Sequence, residues 1–254
     1  AGGIPIETIR TLAIDLEWFS HVIRVTDTIG FRTPARGGLF SNARLGEFVN
    51  EQLQGRSFDE LPGDVAIVAA DIENRRRVIM TSHRVARRID RGELESFLPR
   101  ETPRLPGAET IVLSDIGDVG LAVRASSAIP GVFKPVPVHT MKLVDGGIVD
   151  QTPVSVVRAM GARFTIGVSL ALSFMPQRLA NPAQAISGTI GMLGIQQLRK
   201  SLERADIGFQ ISGIDERSPV KPHQVDLIDI ARQDIHRELT AIFGDKWLSR
   251  HRGG

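Results

Sequence analysis

One short run decides most of what this 254-residue chain can become: Met141-Lys142-Leu143-Val144-Asp145, followed at once by Gly146-Gly147. The first five residues have the composition of a strand, and that strand ends on a carboxylate. Open α/β folds gather their ligands at the carboxyl ends of strands, so Asp145 is placed to project from a rigid element into a cleft. The two glycines permit a turn with unusual backbone angles and let another segment approach closely. Taken alone, Asp-Gly-Gly is a weak signal, since most such tripeptides are simple turns.

Strand-like and helical segments alternate around this run. Residues 65–70 read as an apolar strand ending in Asp71, and residues 77–81 as its hairpin partner across Glu73-Asn74. Residues 111–114, 164–170 and 207–211 supply further strands. A helical stripe over residues 6–19 carries Ile6, Ile9, Leu12, Ala13 and Leu16. A second helix is opened by Ser41, carries Leu45, Phe48, Val49 and Leu53, and is closed by Gly55. Asp118 caps a third through Val119, Leu121, Ala122 and Ala125, and Pro153 opens a fourth that ends at Gly161. Longer helices run from about Pro182 to Ala205 and from Val225 to Phe243. Residues 30–38 form a loop, and the Arg-dense residues 83–104 give no assignment. With no repeat and no linker, the pattern predicts one α/β domain over residues 1–254, with a largely parallel central sheet flanked by helices.

Composition removes several function classes. There is no Cys, which excludes disulfides, thiolate metal sites and a cysteine nucleophile. The 31 Lys and Arg barely exceed the 29 Asp and Glu. A pI near 9.4 follows from the lack of Tyr and Cys rather than from a basic surface, so no nucleic-acid partner is read from it. The six His (His21, His83, His139, His223, His236 and His251) have no metal-ligand spacing, so neither a metal nor a cofactor is expected. No apolar run reaches the ~18 residues of a transmembrane helix. Nothing at the start looks like a signal peptide, and a cytoplasmic location is favoured.

A wider set of residues carries a family resemblance. Ser127-Ala128-Ile129-Pro130-Gly131-Val132-Phe133-Lys134-Pro135, then Leu143-Val144-Asp145-Gly146-Gly147, then Thr152-Pro153-Val154 resemble the patatin-like phospholipases. The bacterial branch related to neuropathy target esterase is the best match. Gly161-Ala162, Gly38-Leu39-Phe40-Ser41 with Arg44-Leu45, and Ala69-Ala70-Asp71 extend it, with Ala70 where the family usually has Thr. Gly3-Ile4-Pro5-Ile6-Glu7 and Leu16-Glu17-Trp18 look like the segment after the family's nucleophile helix. The match is strongest over residues 1–171 and loose over the helical region 182–254.

The resemblance implies a lipid acyl hydrolase with a Ser–Asp dyad, in which Asp145 orients and deprotonates the serine and Gly146 and Gly147 form the motif turn. It implies a lipid or acyl-ester substrate, transient contact with a membrane surface, and no cofactor. Substrate-binding residues are not specified. The family's serine lies in Gly-x-Ser-x-Gly at a strand-to-helix turn, and its oxyanion hole in a Gly-rich loop near the N-terminus. Neither motif occurs in the 254 residues: Ser169 has Gly167 before it but Ala171 after it, and Ser57 has Gly55 before it but Asp59 after it. The expectation is therefore a fold incomplete at its N-terminus, inert by itself as a serine hydrolase, with a groove or open edge beside Asp145 that a complementing N-terminal segment would fill. The alternative is a catalytically inactive remnant or interaction module of the same fold.

Other candidates read more simply. Ser126 and Ser127 suit the end of a helix. His139 suits a polar loop, and Asp71 suits either a turn or a substrate contact. The run Arg75-Arg76-Arg77, with Arg84, Arg87 and Arg88, reads as a solvated face that could also meet anionic lipid. Residues 186–198, with Gly188, Gly191 and Gly194, read first as a core helix, and otherwise as a helix that docks at a membrane interface or as a mobile cover.

Overall fold

Val78, Ile79 and Met80 are consecutive and all fully buried, so strand β2 (Arg76–Thr81) is covered on both faces and belongs in the middle of a sheet. The computed structural model describes residues 3–15, 40–95, 109–170 and 201–211, with scattered positions between 232 and 244. In it β2 lies between β1 (Ala66–Asp71) and β3 (Thr110–Leu113). On the far side of β1 come β5 (Met141–Asp145) and then β4 (Val136–Val138). A separate pair, β6 (Ile166–Leu170) and β7 (Ile207–Ile211), runs parallel.

The five-stranded sheet is mixed. β2 and β3 are parallel, whereas β1–β2, β1–β5 and β4–β5 are antiparallel. Two tight reversals dictate the hairpins: residues 72–75, where Arg75 takes φ 57°, and residues 139–140, where His139 takes φ 51°. A turn that short can join only antiparallel neighbours. Asp71 closes the first hairpin: its Oδ1 accepts the Glu73 N–H at 3.2 Å and its Oδ2 accepts from the Asn74 side chain at 2.7 Å. That settles Asp71 as a turn residue.

Helices cover both faces, as an α/β fold requires. Ala69, Val78, Met80 and Leu143 pack with Val119, Ala122 and Ala125 of the helix Val119–Ser126. Numbered along the chain, the helices are α1 (Ile6–Asp15), α2 (Ala43–Gln52), α3 (His83–Arg88), α4 (Arg91–Glu95), α5 (Val119–Ser126) and α6 (Val154–Ala159). On the opposite face Val68 and Ile79 pack with Leu94 of α4 and with Val156 and Ala159 of α6. α2 crosses α5 where both carry glycine; a Cβ on Gly46 would stand 2.9 Å from the Gly120 carbonyl oxygen.

In α1, Ile6 and Ile9 are exposed; Leu16 of the expected stripe lies outside the described residues. Phe164, Ile166 and Val168, alternate residues on one face of the β6 segment, are exposed as well. At the start of α2, Asn42 occupies the cap position and makes no capping bond from its side chain, while the Ser41 hydroxyl accepts from Ala43 N–H at 3.3 Å. The long helices expected near residues 182–205 and 225–243 lie mostly outside the described residues, as does the loop over residues 30–38.

Asp118 behaves as its position implies. Its Oδ1 accepts from Leu121 N–H and from Asn50 Nδ2, each at 2.8 Å, and Asn50 Oδ1 accepts from Gly120 N–H at 2.9 Å. Asp118→Ala removes the cap and one link between α2 and α5 together. The expected loss is about 1–2 kcal/mol, read as a lower urea midpoint with an unchanged slope. An unchanged midpoint would show that the cap is redundant.

Candidate active site

Asp145 ends β5 opposite Ala69 of β1, at the carboxyl end of an interior strand. β4 pairs with β5 only as far as Leu143, and beyond it the Asp145 N–H donates to the Ala128 carbonyl at 3.0 Å. Among the described residues, Ala128 thus takes the place of β4 beside Asp145. The residue is partly buried, so its carboxyl group neither sits in bulk water nor disappears into the core. Burial pushes the Asp145 carboxyl above its ordinary value, and the hydrogen bond from Gly147 N–H pulls the other way. That bond is short, 2.7 Å to Oδ1, and makes Asp145 the cap of the 3-10 turn Gly146–Ile148.

The two glycines have different reasons to be glycine. A Cβ on Gly146 would fall well inside contact distance of the Val68 carbonyl oxygen and 2.7 Å from the carbonyl carbon. Only a hydrogen atom fits where the turn presses on β1. A Cβ on Gly147 would meet the Asp145 Oδ1 at 3.1 Å and Gln151 Cγ at 3.5 Å. Gly147 therefore leaves room for the carboxylate, whereas Gly146 leaves room for the fold.

Of the other candidates, Ser126 and Ser127 lie just before Ala128, the carbonyl of which accepts from Asp145 N–H, whereas His139 stands apart from this end of β5. His139 is in the β4–β5 turn, at the opposite end of the strand, and contacts Asp115 at 3.3 Å on the surface. Four strand residues separate that turn from Asp145, a span of roughly 17 Å at the usual rise, so His139 is no base for it. Ser126 ends α5 and Ser127 is its C-terminal cap residue. Ser169 is buried within β6. Ser57 shares a capping box with Glu60, its Oγ donating to the carboxylate at 2.7 Å. None of these arrangements is that of an activated nucleophile. Among the described residues no group of three or more His, Asp or Glu is placed to hold a metal ion.

Sequence reasoning missed one buried cluster close to Asp145. Arg77, expected on a solvated face, turns inward and pairs with Asp150, Nη1 to Oδ2 at 2.8 Å, with both side chains almost fully enclosed. The same Nη1 donates to Ser155 Oγ at 3.1 Å, Nη2 to the Leu94 carbonyl at 2.8 Å, and Nε to Thr110 Oγ1 at 3.2 Å. Burial pushes the Asp150 carboxyl upward against the pull of Arg77. It also pulls the Arg77 guanidinium below its usual value, with Asp150 opposing. The signal available in the sequence was position: Arg77 opens an apolar run that is covered on both faces, where a charge needs a partner. The neighbouring Arg84 and Arg88 do face outward, both to Asp64.

The family model described as patatin-like phospholipase matches residues 9–158, more than half of the chain and inclusive of Asp145, Gly146 and Gly147. Uncharacterized NTE family proteins of Mycobacterium bovis and of two strains of Mycobacterium tuberculosis are 38% identical to it over 82 residues. Those residues cover 28% of this chain and 23% of each relative, so the match spans less than a quarter of the curated relatives' length.

Proposed function

Because the chain belongs to the patatin-like phospholipase family, we propose that it is the Asp-bearing part of a serine-type lipid acyl hydrolase. Asp145 is the acid/base of a Ser–Asp dyad. The serine and the oxyanion donors come from polypeptide other than these 254 residues, in which Gly-x-Ser-x-Gly does not occur. The observation that carries this reading is the state of the Asp145 carboxyl: partly buried, raised by that burial, and held by a single backbone N–H.

A carboxylate so placed has a free oxygen to accept a proton, and its lost hydration makes it a better base. The serine hydroxyl attacks the acyl carbonyl while its proton passes to Asp145. The same proton then goes to the departing alcohol, leaving an acyl-enzyme. Water enters and is deprotonated by Asp145, and the acid is released with the serine restored. His is not needed at any step. Lipid or acyl-ester substrate would be drawn from a membrane surface; no helix among the described residues is long and apolar enough to cross one.

Lack of the serine motif in the sequence gives the second reading, a catalytically inactive remnant or interaction module of the same fold. A fluorophosphonate probe separates the two. The chain alone stays unlabelled. Together with the polypeptide encoded in frame immediately before Ala1, a serine of that added segment becomes labelled and acyl-ester hydrolysis appears. Labelling of a serine within the 254 residues would overturn the assignment of the nucleophile to another segment. An upstream frame without Gly-x-Ser-x-Gly would leave the inactive module as the function.

A further inference from the structure

We propose that Arg77 and Asp150 are positioning residues: their buried ion pair clamps the far end of the turn that begins at Asp145 and so fixes where the Asp145 carboxylate points. The proposal rests on the reading of Asp145 as acid/base, and the geometry runs without a gap. The turn is anchored at its start by the Asp145 N–H on the Ala128 carbonyl at 3.0 Å. It is pressed on β1 at Gly146, where no side chain fits. It is closed by Val149 N–H and Asp150 N–H, both donating to the Gly146 carbonyl, at 3.0 and 2.8 Å. Asp150 therefore hangs directly on the residue next to Asp145.

Asp150 is in turn tied to the body of the fold through Arg77. Among the described residues its Oδ1 has no hydrogen-bond partner, so the side chain is held through Oδ2. Among the described residues Arg77 reaches four places: the turn (Asp150), α6 (Ser155), the end of α4 (Leu94) and the start of β3 (Thr110). A planar guanidinium with its donors spent in fixed directions has little freedom left. Buried pairs of this kind return little net stability, because desolvation offsets most of the attraction. What the pair supplies is a fixed point at the Asp150 end of the turn, opposite the Ala128 anchor at the Asp145 end, the support that a catalytic carboxylate needs.

The test needs no catalysis, so it can fail independently of the proposed activity. Amide hydrogen exchange and the Asp145 carboxyl titration are followed by NMR in the 254-residue chain and in Asp150→Asn. Clamp loss is expected to speed exchange at Gly147, Val149 and Asp150 by about 10-fold or more relative to β1 and β2 amides, as local opening does. The Asp145 midpoint moves down toward the ordinary carboxyl range, since water entering a loosened turn relieves the larger of its two influences. The double variant Arg77→Met with Asp150→Leu, which leaves no unpaired charge, is expected to give the same selective change. Uniform acceleration at all amides, or unchanged exchange at the three turn residues in a folded variant, would overturn the proposal. So would failure of both variants to fold, because the pair would then be holding the domain and not the turn.

Discussion

Asp145→Asn is expected to abolish acyl-ester hydrolysis while raising the melting temperature at neutral pH. The substitution keeps the shape of the side chain and an oxygen able to accept the Gly147 N–H, now at 2.7 Å. It removes the basicity. Loss of the carboxylate that activates a serine costs on the order of 10⁴-fold in turnover, measured on the chain together with the segment that carries the serine. The stability gain has its own logic. Burial raises the Asp145 pKa in the folded chain above the ordinary 3.8, so the native state binds that proton more tightly than the unfolded chain does. The stability this contributes is fully present below pH 3.8 and is lost as pH rises through the folded value. At pH 7 the ionised, partly buried carboxylate is a burden that Asn does not carry. Urea midpoints of the two proteins should therefore separate at pH 7 in favour of Asn and converge below 3.8. Equal activity would remove Asp145 from the dyad. A lower midpoint for the variant at pH 7 would mean that the carboxylate stabilises the fold, contrary to its burial.

How much of this was legible in the letters depended on what each residue needed from distant ones. β1, β2, β3 and β5 were readable because each is an apolar run covered on one or both faces, and β5 ended where Met141–Asp145 said it would. Asp118 was readable as a cap because capping is a contact over three residues. β4 was not, since Val136–Val138 has three residues with a Pro in the middle, too little to give an alternation. Ser41 was read as the residue that opens α2; the fold puts Asn42 at the cap position and ties its side chain to α5, its Nδ2 donating to the Arg124 carbonyl at 2.7 Å. Arg77 was hidden by its neighbours. In a run of three arginines the one that opens the apolar run is marked only by its position, and nothing local names its partner Asp150, 73 residues further on. Asp145, Gly146 and Gly147 could be picked out as a motif, but the distinct duties of the two glycines come only from β1, which the turn touches.

Those duties make the sharpest structural prediction. Gly146→Ala forces a methyl group into the backbone of Val68, the carbonyl carbon of which would stand 2.7 Å away. β1 cannot retreat cheaply: it is bonded on one side to β2 along its whole length and on the other to β5, with Ala69 opposite Asp145. A clash with a strand held on both sides has nowhere to relax, so the cost should exceed an ordinary overpacked side chain and reach about 3–5 kcal/mol. For a chain of this size that corresponds to a fall in Tm of roughly 6–20 °C. Gly147→Ala is the matched control. Gly147 has no left-handed φ to protect, and its added Cβ meets a side-chain oxygen, Asp145 Oδ1, at 3.1 Å. A carboxylate can swing where a strand cannot. Stability should change by less than about 1 kcal/mol, while the Asp145 titration shifts because its one backbone donor is displaced. Thermal melts of the two variants side by side decide the matter. Equal destabilisation by both would mean that the contact between the turn and β1 yields, and that Gly146 is no tighter a constraint than its neighbour.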